Sequence, residues 1–262
     1  MAEHTVPKKS LGQHWLNDTD ALASMCDSAE ISATDTVLEI GPGLGTLTDL
    51  LTQRAKRVIA VEFDESLAQA LPGMVEVDNL DTVHQDILKF DFTTLPKDYK
   101  IVANIPYYLT SNLIRVISES INQPSMAVLL VQKEVAERVA APPGQMSLLS
   151  VSAQFYWDVH TGREVPAKLF TPPPKVNSQI LVLKRRPEML FPGADIQVFF
   201  QVVKAGFASR RKTLHNSLSA GLRLDKKQTG ALLEAAKIAP TLRPQALSLD
   251  QWHDLYKAYR QI

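Results

Sequence analysis

"DTVLEIGPGLGTLTDLLTQRA" (Asp35–Ala55) runs from a short strand-like stretch through three glycines into a helix-like pattern. "DTVLEI" (35–40) reads as a buried strand, and Leu44, Leu47, Leu50 and Leu51 fall on one face of the helix that follows. Gly41, Gly43 and Gly45 occupy the turn between them. Without a Cβ they accept positive φ and let a ligand approach the backbone closely. The pattern then repeats. "RVIAVEFD" (57–64) is the next strand, and "SLAQALPGM" begins as a helix that Pro72 ends. "VHQDILKFD" (83–91) and "YKIVANIP" (99–106) read as further strands, and "SMAVLLVQKEVAERVA" as a strand running into a helix. Alternation of this kind predicts an α/β fold, with a mostly parallel sheet covered by helices on both faces.

Past residue 150 the pattern changes. "VSAQFYWDVH" and "NSQILVLKRR" read as paired strands separated by the proline-rich "VPAKLFTPPPKV". Beyond about residue 190 strand signals stop. "IQVFFQVVKAGFASRRKTLHNSLSAGL", "KQTGALLEAAKI" and "SLDQWHDLYKAYRQ" are amphipathic helix candidates, the last opening on the capping-box form that begins at Ser248. The expectation is a sheet domain over 1–186 and a small all-helical domain over 187–262.

The chain has 262 residues, 45% hydrophobic and 21% charged, as in an ordinary globular protein. Its start lacks an apolar core of signal-peptide length, and its apolar runs are too short to span a bilayer. A single cysteine, Cys26, makes neither an internal disulfide nor a thiolate metal site. A soluble, cytoplasmic protein without a metal centre is expected. The formal net charge of zero hides a gradient. Residues 1–159 carry 11 Lys/Arg against 21 Asp/Glu, and residues 160–262 carry 17 against 7. Segregation on that scale suits contact with a large anion, nucleic acid being the commonest. Solvated faces that happen to differ are the plainer alternative.

The glycine turn has an acidic partner. Glu62 ends the next strand, where a carboxylate can accept hydrogen bonds from both ribose hydroxyls of a nucleotide-like ligand. A surface carboxylate or a helix cap would be the structural alternatives. The spacing is G-x-G-x-G rather than the dinucleotide form G-x-G-x-x-G, and Glu39 stands just before the first glycine. An acid there repels a pyrophosphate and suits a cation. S-adenosylmethionine fits, with a sulfonium, an ammonium and a ribose but no phosphate. Asp86, in "HQDIL", is placed to accept from the cofactor's adenine amine.

"VANIPYYLTSNLI" (Val102–Ile114) ends a strand on an amide, a proline and two tyrosines. Pro106 restricts Ile105 to extended conformations, so the Asn104 amide oxygen and the Ile105 carbonyl can aim at one point. Tyr107 and Tyr108 offer faces for a base to stack on, at ~1–3 kcal/mol per base. Two acceptors beside an aromatic platform suit an exocyclic adenine amine. Holding both N–H bonds favours pyramidal nitrogen and frees its lone pair for a sulfonium methyl, so that positioning and electrostatics supply the catalysis. A strand-end turn with core tyrosines is the structural alternative.

"KKSLGQHWL", "EIGPGLGTLT", "VEFD", "QDIL" and "NIPYYLTS", continued by "LFTPPPKVNSQILVL" and "GFASRRKTLHNSL", together resemble the ribosomal RNA adenine N6,N6-dimethyltransferases, most closely the KsgA/RsmA group. The resemblance covers nearly the whole chain. It implies a Rossmann-like class I methyltransferase sheet with a small helical C-terminal domain. The implied reaction uses S-adenosylmethionine to dimethylate two adjacent adenosines near the 3′ end of small-subunit (16S) rRNA, in a pre-mature small ribosomal subunit. It places cofactor contacts at His14, Leu16, Gly41, Gly43, Glu62, Asp86 and Asn104, and the target base at Asn104, Pro106 and Tyr107. Lys8, Lys9, Arg210, Arg211 and Lys212 become candidates for rRNA phosphates, where "SRRK" would otherwise be a solvated helix face. Nothing in the sequence suggests more than a monomer.

Three departures stand out: Trp15 where the family has Phe, His14 where many members have Asn, and "GQMSLLSV" without the usual Tyr-Gly pair. The alternatives are a large-subunit rRNA adenine methyltransferase of the macrolide-resistance type and a non-catalytic ribosome assembly factor. A nicotinamide oxidoreductase is disfavoured by the glycine spacing.

Overall fold

The apolar runs, each too short to make a helix, become the strands of the protein. A computed structural model describes residues 7–8, 11–209 and 211–262. The strands are β1 (Trp15–Leu16), β2 (Thr36–Ile40), β3 (Arg57–Glu62), β4 (Leu80–His84), β5 (Lys100–Asn104), β6 (Met126–Gln132), β7 (Trp157–Val165), β8 (Phe170–Thr171) and β9 (Ser178–Arg185). Helices α1 (Thr19–Ser28), α2 (Thr46–Arg54), α3 (Glu65–Met74), α4 (Thr110–Glu119) and α5 (Lys133–Val139) alternate with them. There follow α6 (Leu148–Tyr156), α7 (Ile196–Phe207), α8 (Leu214–Leu222), α9 (Lys226–Ala235) and α10 (Leu249–Tyr259).

Seven strands form one sheet in the order β4-β3-β2-β5-β6-β9-β7, while β1 pairs antiparallel with β8. The pairs β4–β3, β3–β2, β2–β5 and β5–β6 are parallel, and β9 runs antiparallel to β6. Val37, Val58, Val102 and Val128 pack into one core with Met25 and Cys26 of α1, Ala29 just after it, and Leu47 and Leu51 of α2. Leu38, Ile59, Ile101 and Ala127, which point to the opposite face, are equally buried. Burial on both faces explains why the middles of these strands read as nearly continuous apolar runs. The chain lays down β2, β3 and β4 in one direction and then returns to place β5 on the other side of β2. That reversal creates a switch point at the carboxyl ends of β2 and β5.

Two compact units emerge, one of residues up to 136 with 158–185, the other of 137–157 with 186–262. A single boundary at 186 therefore leaves out one excursion of the chain. "VSAQFYWDVH" is a strand only from Trp157, and its first part is α6. Ser147 and Ser150 cap this helix reciprocally. Phe155 projects into an aromatic cluster with Tyr156, Phe191, Phe199 and Phe200, at centroid distances of 4.8 to 6.0 Å. A strand would send Val151 and Phe155 to one face as well, since the period of two and the spacing of four coincide. The sequence pattern there is ambiguous for that reason.

Other local differences have similar causes. β4 stops at His84, because Asp86 turns the chain by accepting from the Leu88 N–H at 3.0 Å and so caps a 3-10 turn over Ile87–Lys89. Pro72 lies inside α3 rather than ending it. It removes one N–H near the end of the helix, and the Val75 N–H still closes on the Leu71 carbonyl at 3.0 Å. The long candidate helix from 196 onward breaks into α7 and α8, leaving Arg211 and Lys212 in the turn between them. The expected capping box at the start of α10 is present, with Gln251 N–H donating to Ser248 and Gln251 Oε1 accepting from the Ser248 N–H. Among the described residues no helix is long and apolar enough to cross a membrane.

Phe155→Ala should destabilise the helical unit by ~3–5 kcal/mol, as expected for an emptied aromatic site in a packed core. Urea unfolding measures it, and a loss below about 1 kcal/mol would contradict the placement of α6 in that core.

Candidate active site

The carboxyl ends of four neighbouring strands, β4, β3, β2 and β5, surround a cavity of about 330 Å³. That is the lower end of the range for small-molecule sites. The glycine turn forms one wall. Gly41, Gly43 and Gly45 have φ of +68°, +57° and +79°. A Cβ on Gly45 would lie 2.8 Å from Val75 Cγ2, whereas one on Gly41 would meet nothing within 4 Å. Gly45 thus serves packing, while Gly41 leaves space open along the cavity. Trp15 covers the turn, its indole 3.3 Å from where a Gly43 Cβ would stand. That near contact accounts for both the large ring at position 15 and the glycine beneath it.

Glu62 ends β3 and is buried, which excludes a surface carboxylate. Its Oε2 accepts from the Gly43 N–H at 3.2 Å and its Oε1 from the Asp64 N–H at 2.9 Å. Burial pushes its carboxyl above the ordinary value, against the lowering effect of those N–H groups. Glu39 lines the same cavity from β2 and is 1% exposed. Burial pushes it up to about 8, and the Glu62 charge adds to the rise. Thr48 lies near enough to oppose this, yet Glu39 Oε2 and Thr48 Oγ1 are both buried without completing a hydrogen bond of ordinary geometry among the described residues. A buried carboxyl with an unpartnered oxygen beside a cavity keeps an acceptor free for a ligand, and a nearby cation would favour its ionised form.

Asp86 reaches the cavity from the turn after β4. One oxygen caps Leu88, and the residue lines the wall. Asn104 ends β5. Its Nδ2 donates to the His14 carbonyl at 3.2 Å, and since a carbonyl only accepts, this orients the amide and leaves Oδ1 as an acceptor. Pro106 and Tyr107 follow on the cavity wall. Tyr107 donates to or accepts from Ser178 Oγ at 2.8 Å, and burial pushes its phenol above the ordinary value, so it stays protonated. Tyr108 is 68% exposed, and Phe63 is exposed on another part of the wall. His14 and Leu16 close the cavity from the N-terminal side. Leu16 is held by pairing with Phe170 and by Thr46 Oγ1 donating to its carbonyl at 3.1 Å. His14 Nδ1 lies 2.7 Å from the Pro172 carbonyl.

The structure thus gathers every cofactor and target-base candidate of the sequence reading around one cavity. The basic candidates fare differently. Lys8 is paired with Asp64, the N-cap residue of α3, at 2.6 Å. Arg211 and Lys212 are exposed in the helical unit, and Lys9 and Arg210 lie outside the described residues. Sequence reasoning passed over Ser178 and Pro172, which touch Tyr107 and His14 from 71 and 158 residues away. Only the proline-rich run before β9 hinted that the segment was special. No group of three or more His, Cys, Asp or Glu among the described residues is placed to hold a metal ion.

Residues 5–261 match the family model for ribosomal RNA adenine dimethylase. A curated relative, the ribosomal RNA small subunit methyltransferase A of Dehalococcoides mccartyi, is 40% identical over 262 residues, covering 97% of this chain and 89% of its own. The protein of that name from Streptococcus uberis is 38% identical, covering 97% and 92%. Among solved structures, a dimethyladenosine transferase from Plasmodium falciparum superposes with a TM-score of 0.79 at 26% identity, over 95% of this chain and 98% of that one. The 23S rRNA methyltransferase ErmE gives 0.77 at 29%, over 94% and 100%.

Glu39 makes stability depend on pH. Its folded pKa, about 8, lies above the ordinary value of 4.5, so between these values the folded chain holds a proton that the unfolded chain has released. Folding stability contributed by this group is therefore lost as pH rises through that window, at no more than about 1.4 kcal/mol per pH unit. Glu39→Gln should remove this slope. The difference in urea midpoint between wild type and variant, measured from pH 5 to 8, should move in the variant's favour as pH rises. A constant difference would count against the buried placement of Glu39.

Proposed function

The chain belongs to the ribosomal RNA adenine dimethylase family, and from that premise we propose the assignment of roles that follows. The protein is an rRNA adenine methyltransferase. The proposed reaction converts two adjacent adenosines near the 3′ end of small-subunit rRNA to N6,N6-dimethyladenosines. The proposed donor is S-adenosylmethionine, and the proposed substrate is a pre-mature small subunit met by a cytoplasmic monomer. The observation that carries this reading is Asn104, whose amide is turned by the His14 carbonyl so that Oδ1 is left as an acceptor on a cavity lined by acids.

Residues fit the donor without a phosphate site. Glu62 retains lone pairs for ribose hydroxyls beyond its two backbone bonds, Asp86 has a second oxygen for an adenine amine, and Glu39 would release its proton beside the donor's positive charge. When bound, S-adenosylmethionine supplies an electrophilic methyl carbon on its sulfonium. Asn104 Oδ1 and the Ile105 carbonyl accept the two N6–H bonds of the target adenine, so the nitrogen turns pyramidal and its lone pair faces outward. Pro106 keeps Ile105 extended for that purpose. Tyr107 offers its ring face to the base, which excludes water and fixes the angle of approach. The N6 proton stays hydrogen-bonded to Asn104 Oδ1 until water takes it. Arg210, Arg211 and Lys212, with Lys8 and Lys9, would meet rRNA phosphates, Lys8 exchanging Asp64 for the nucleic acid. Salt would weaken that binding.

Labelled methyl transfer to two substrates tests the reading. One is small-subunit particles lacking dimethyladenosines, the other unmodified large-subunit rRNA. Label as N6,N6-dimethyladenosine in the first alone is expected. Label only in the second would make the enzyme act as the ErmE neighbour's name describes. No label in either, with RNA binding intact, would leave an assembly factor.

Two substitutions separate the roles. Glu62→Ala should weaken S-adenosylmethionine binding at least tenfold by calorimetry. Asn104→Ala should lower kcat ~10²–10³-fold, as for loss of a transition-state hydrogen-bonding group, with cofactor affinity within about threefold. Equal loss of RNA affinity in both variants would contradict this division.

A further inference from the structure

The proline-rich segment between β7 and β9 is a closed arch. Glu164 Oε1 accepts from Asn177 Nδ2 at 2.7 Å, and Glu164 Oε2 pairs with Lys133 Nζ at 2.5 Å. Asn177 Oδ1 accepts from the Ala167 N–H at 3.0 Å, and the Asn177 carbonyl accepts from the Lys133 N–H at the same distance. Both ends of residues 166–177 are thereby tied to each other and to the start of α5. Within the arch β8 pairs with β1, Thr171 opposite Trp15 and Phe170 opposite Leu16.

From this frame two contacts reach the cavity. The Pro172 carbonyl, which only accepts, takes the His14 Nδ1–H at 2.7 Å. Ser178, at the first position of β9 and 0% exposed, meets the Tyr107 hydroxyl through its Oγ at 2.8 Å. The two rings so held lie 5.9 Å apart between centroids at an interplanar angle of 21°. Nearly parallel, stacked rings at positions 14 and 107 thus owe their attitude to a third segment, which follows much later in the chain.

We infer that Ser178 is a positioning residue for methyl transfer: acting through the Tyr107 hydroxyl, with the Pro172 carbonyl acting likewise on His14, it sets the plane of the ring platform against which the target base stacks. This rests on the reading of Tyr107 as the stacking ring. A phenylalanine packed over an alanine would fill the same space, and replacing both partners of a buried hydrogen bond by apolar groups is nearly neutral for stability. What the hydroxyl pair adds is direction. A ring free to tilt still binds the base but holds N6 off the line of transfer.

The test is a double-mutant cycle on the full chain with small-subunit particles lacking dimethyladenosines. Ser178→Ala and Tyr107→Phe should each lower kcat about five- to tenfold, the worth of one neutral hydrogen bond, with KM for the particle and calorimetric affinity for S-adenosylmethionine within twofold. The double variant should lose no more kcat than either single one. Its urea midpoint should return toward wild type, because neither hydroxyl is then left unpaired. Recovery of kcat together with stability in the double variant would show a structural role and overturn the proposal. Full kcat in Ser178→Ala would overturn it as well. Tyr107→Ala separates the two layers, because wild-type kcat there would defeat the stacking role of Tyr107 itself. A collapse of kcat in Tyr107→Ala beside an unaffected Ser178→Ala would defeat only the positioning role.

Discussion

Glu62 accepts hydrogen bonds from two peptide N–H groups in different turns, Gly43 after β2 and Asp64 before α3, and it does so while buried. Hydrogen bonds to a charged acceptor are worth ~1.5–3 kcal/mol each, and they compensate a carboxylate that burial would otherwise drive to its neutral form. The glycine turn, the end of β3 and the start of α3 are therefore locked to one side chain. Asp64 extends the lock by capping α3 at the Ser66 N–H and pairing with Lys8. The shape of the cavity depends on this group before any ligand enters.

The same carboxylate sets the electrostatic character of the site. It shares the cavity wall with Asp86 and with Glu39, whose carboxyl, raised to about 8, holds its proton near neutral pH. Among the described residues no Lys or Arg lines the cavity, which suits the proposed cationic donor better than a phosphorylated nucleoside. It also divides labour along the chain. Acids outnumber bases by 21 to 11 up to position 159, so long-range attraction to RNA has to come from the basic remainder. In the proposed reading the acidic part supplies the chemistry, and the target base enters it singly.

Aromatic and amide groups complete the site on the opposite side of the switch point. Asn104 is oriented by the backbone carbonyl of His14, and Tyr107 by the hydroxyl of Ser178. Each takes part of its geometry from outside its own loop. A strand end with a proline after it is stiff, and loops crossing from elsewhere add the remaining constraints. Precision here comes from convergence of three distant segments on one point.

Much of this is legible in the sequence because it is local. An apolar run, three glycines and a helical stripe specify strand, turn and helix in close succession, and the acid at the end of the following strand sits at a distance set by one βαβ unit. Glu62 and Asn104 read as strand-end groups for that reason. Pattern fails where period and spacing coincide, as at Val151 and Phe155, or where one side-chain cap outweighs the apolar run, as at Asp86. The sequence by itself determined the α/β class, the glycine turn and the identity of the groups at the strand ends, since each is encoded within a short window. Only the tertiary structure decided that Glu39 is buried and poised near 8, that Lys8 commits its charge to Asp64, and that Ser178 and Pro172 hold the aromatic rings. Contacts between segments so far apart leave no periodic trace in the chain, and burial is a property of what the fold brings alongside.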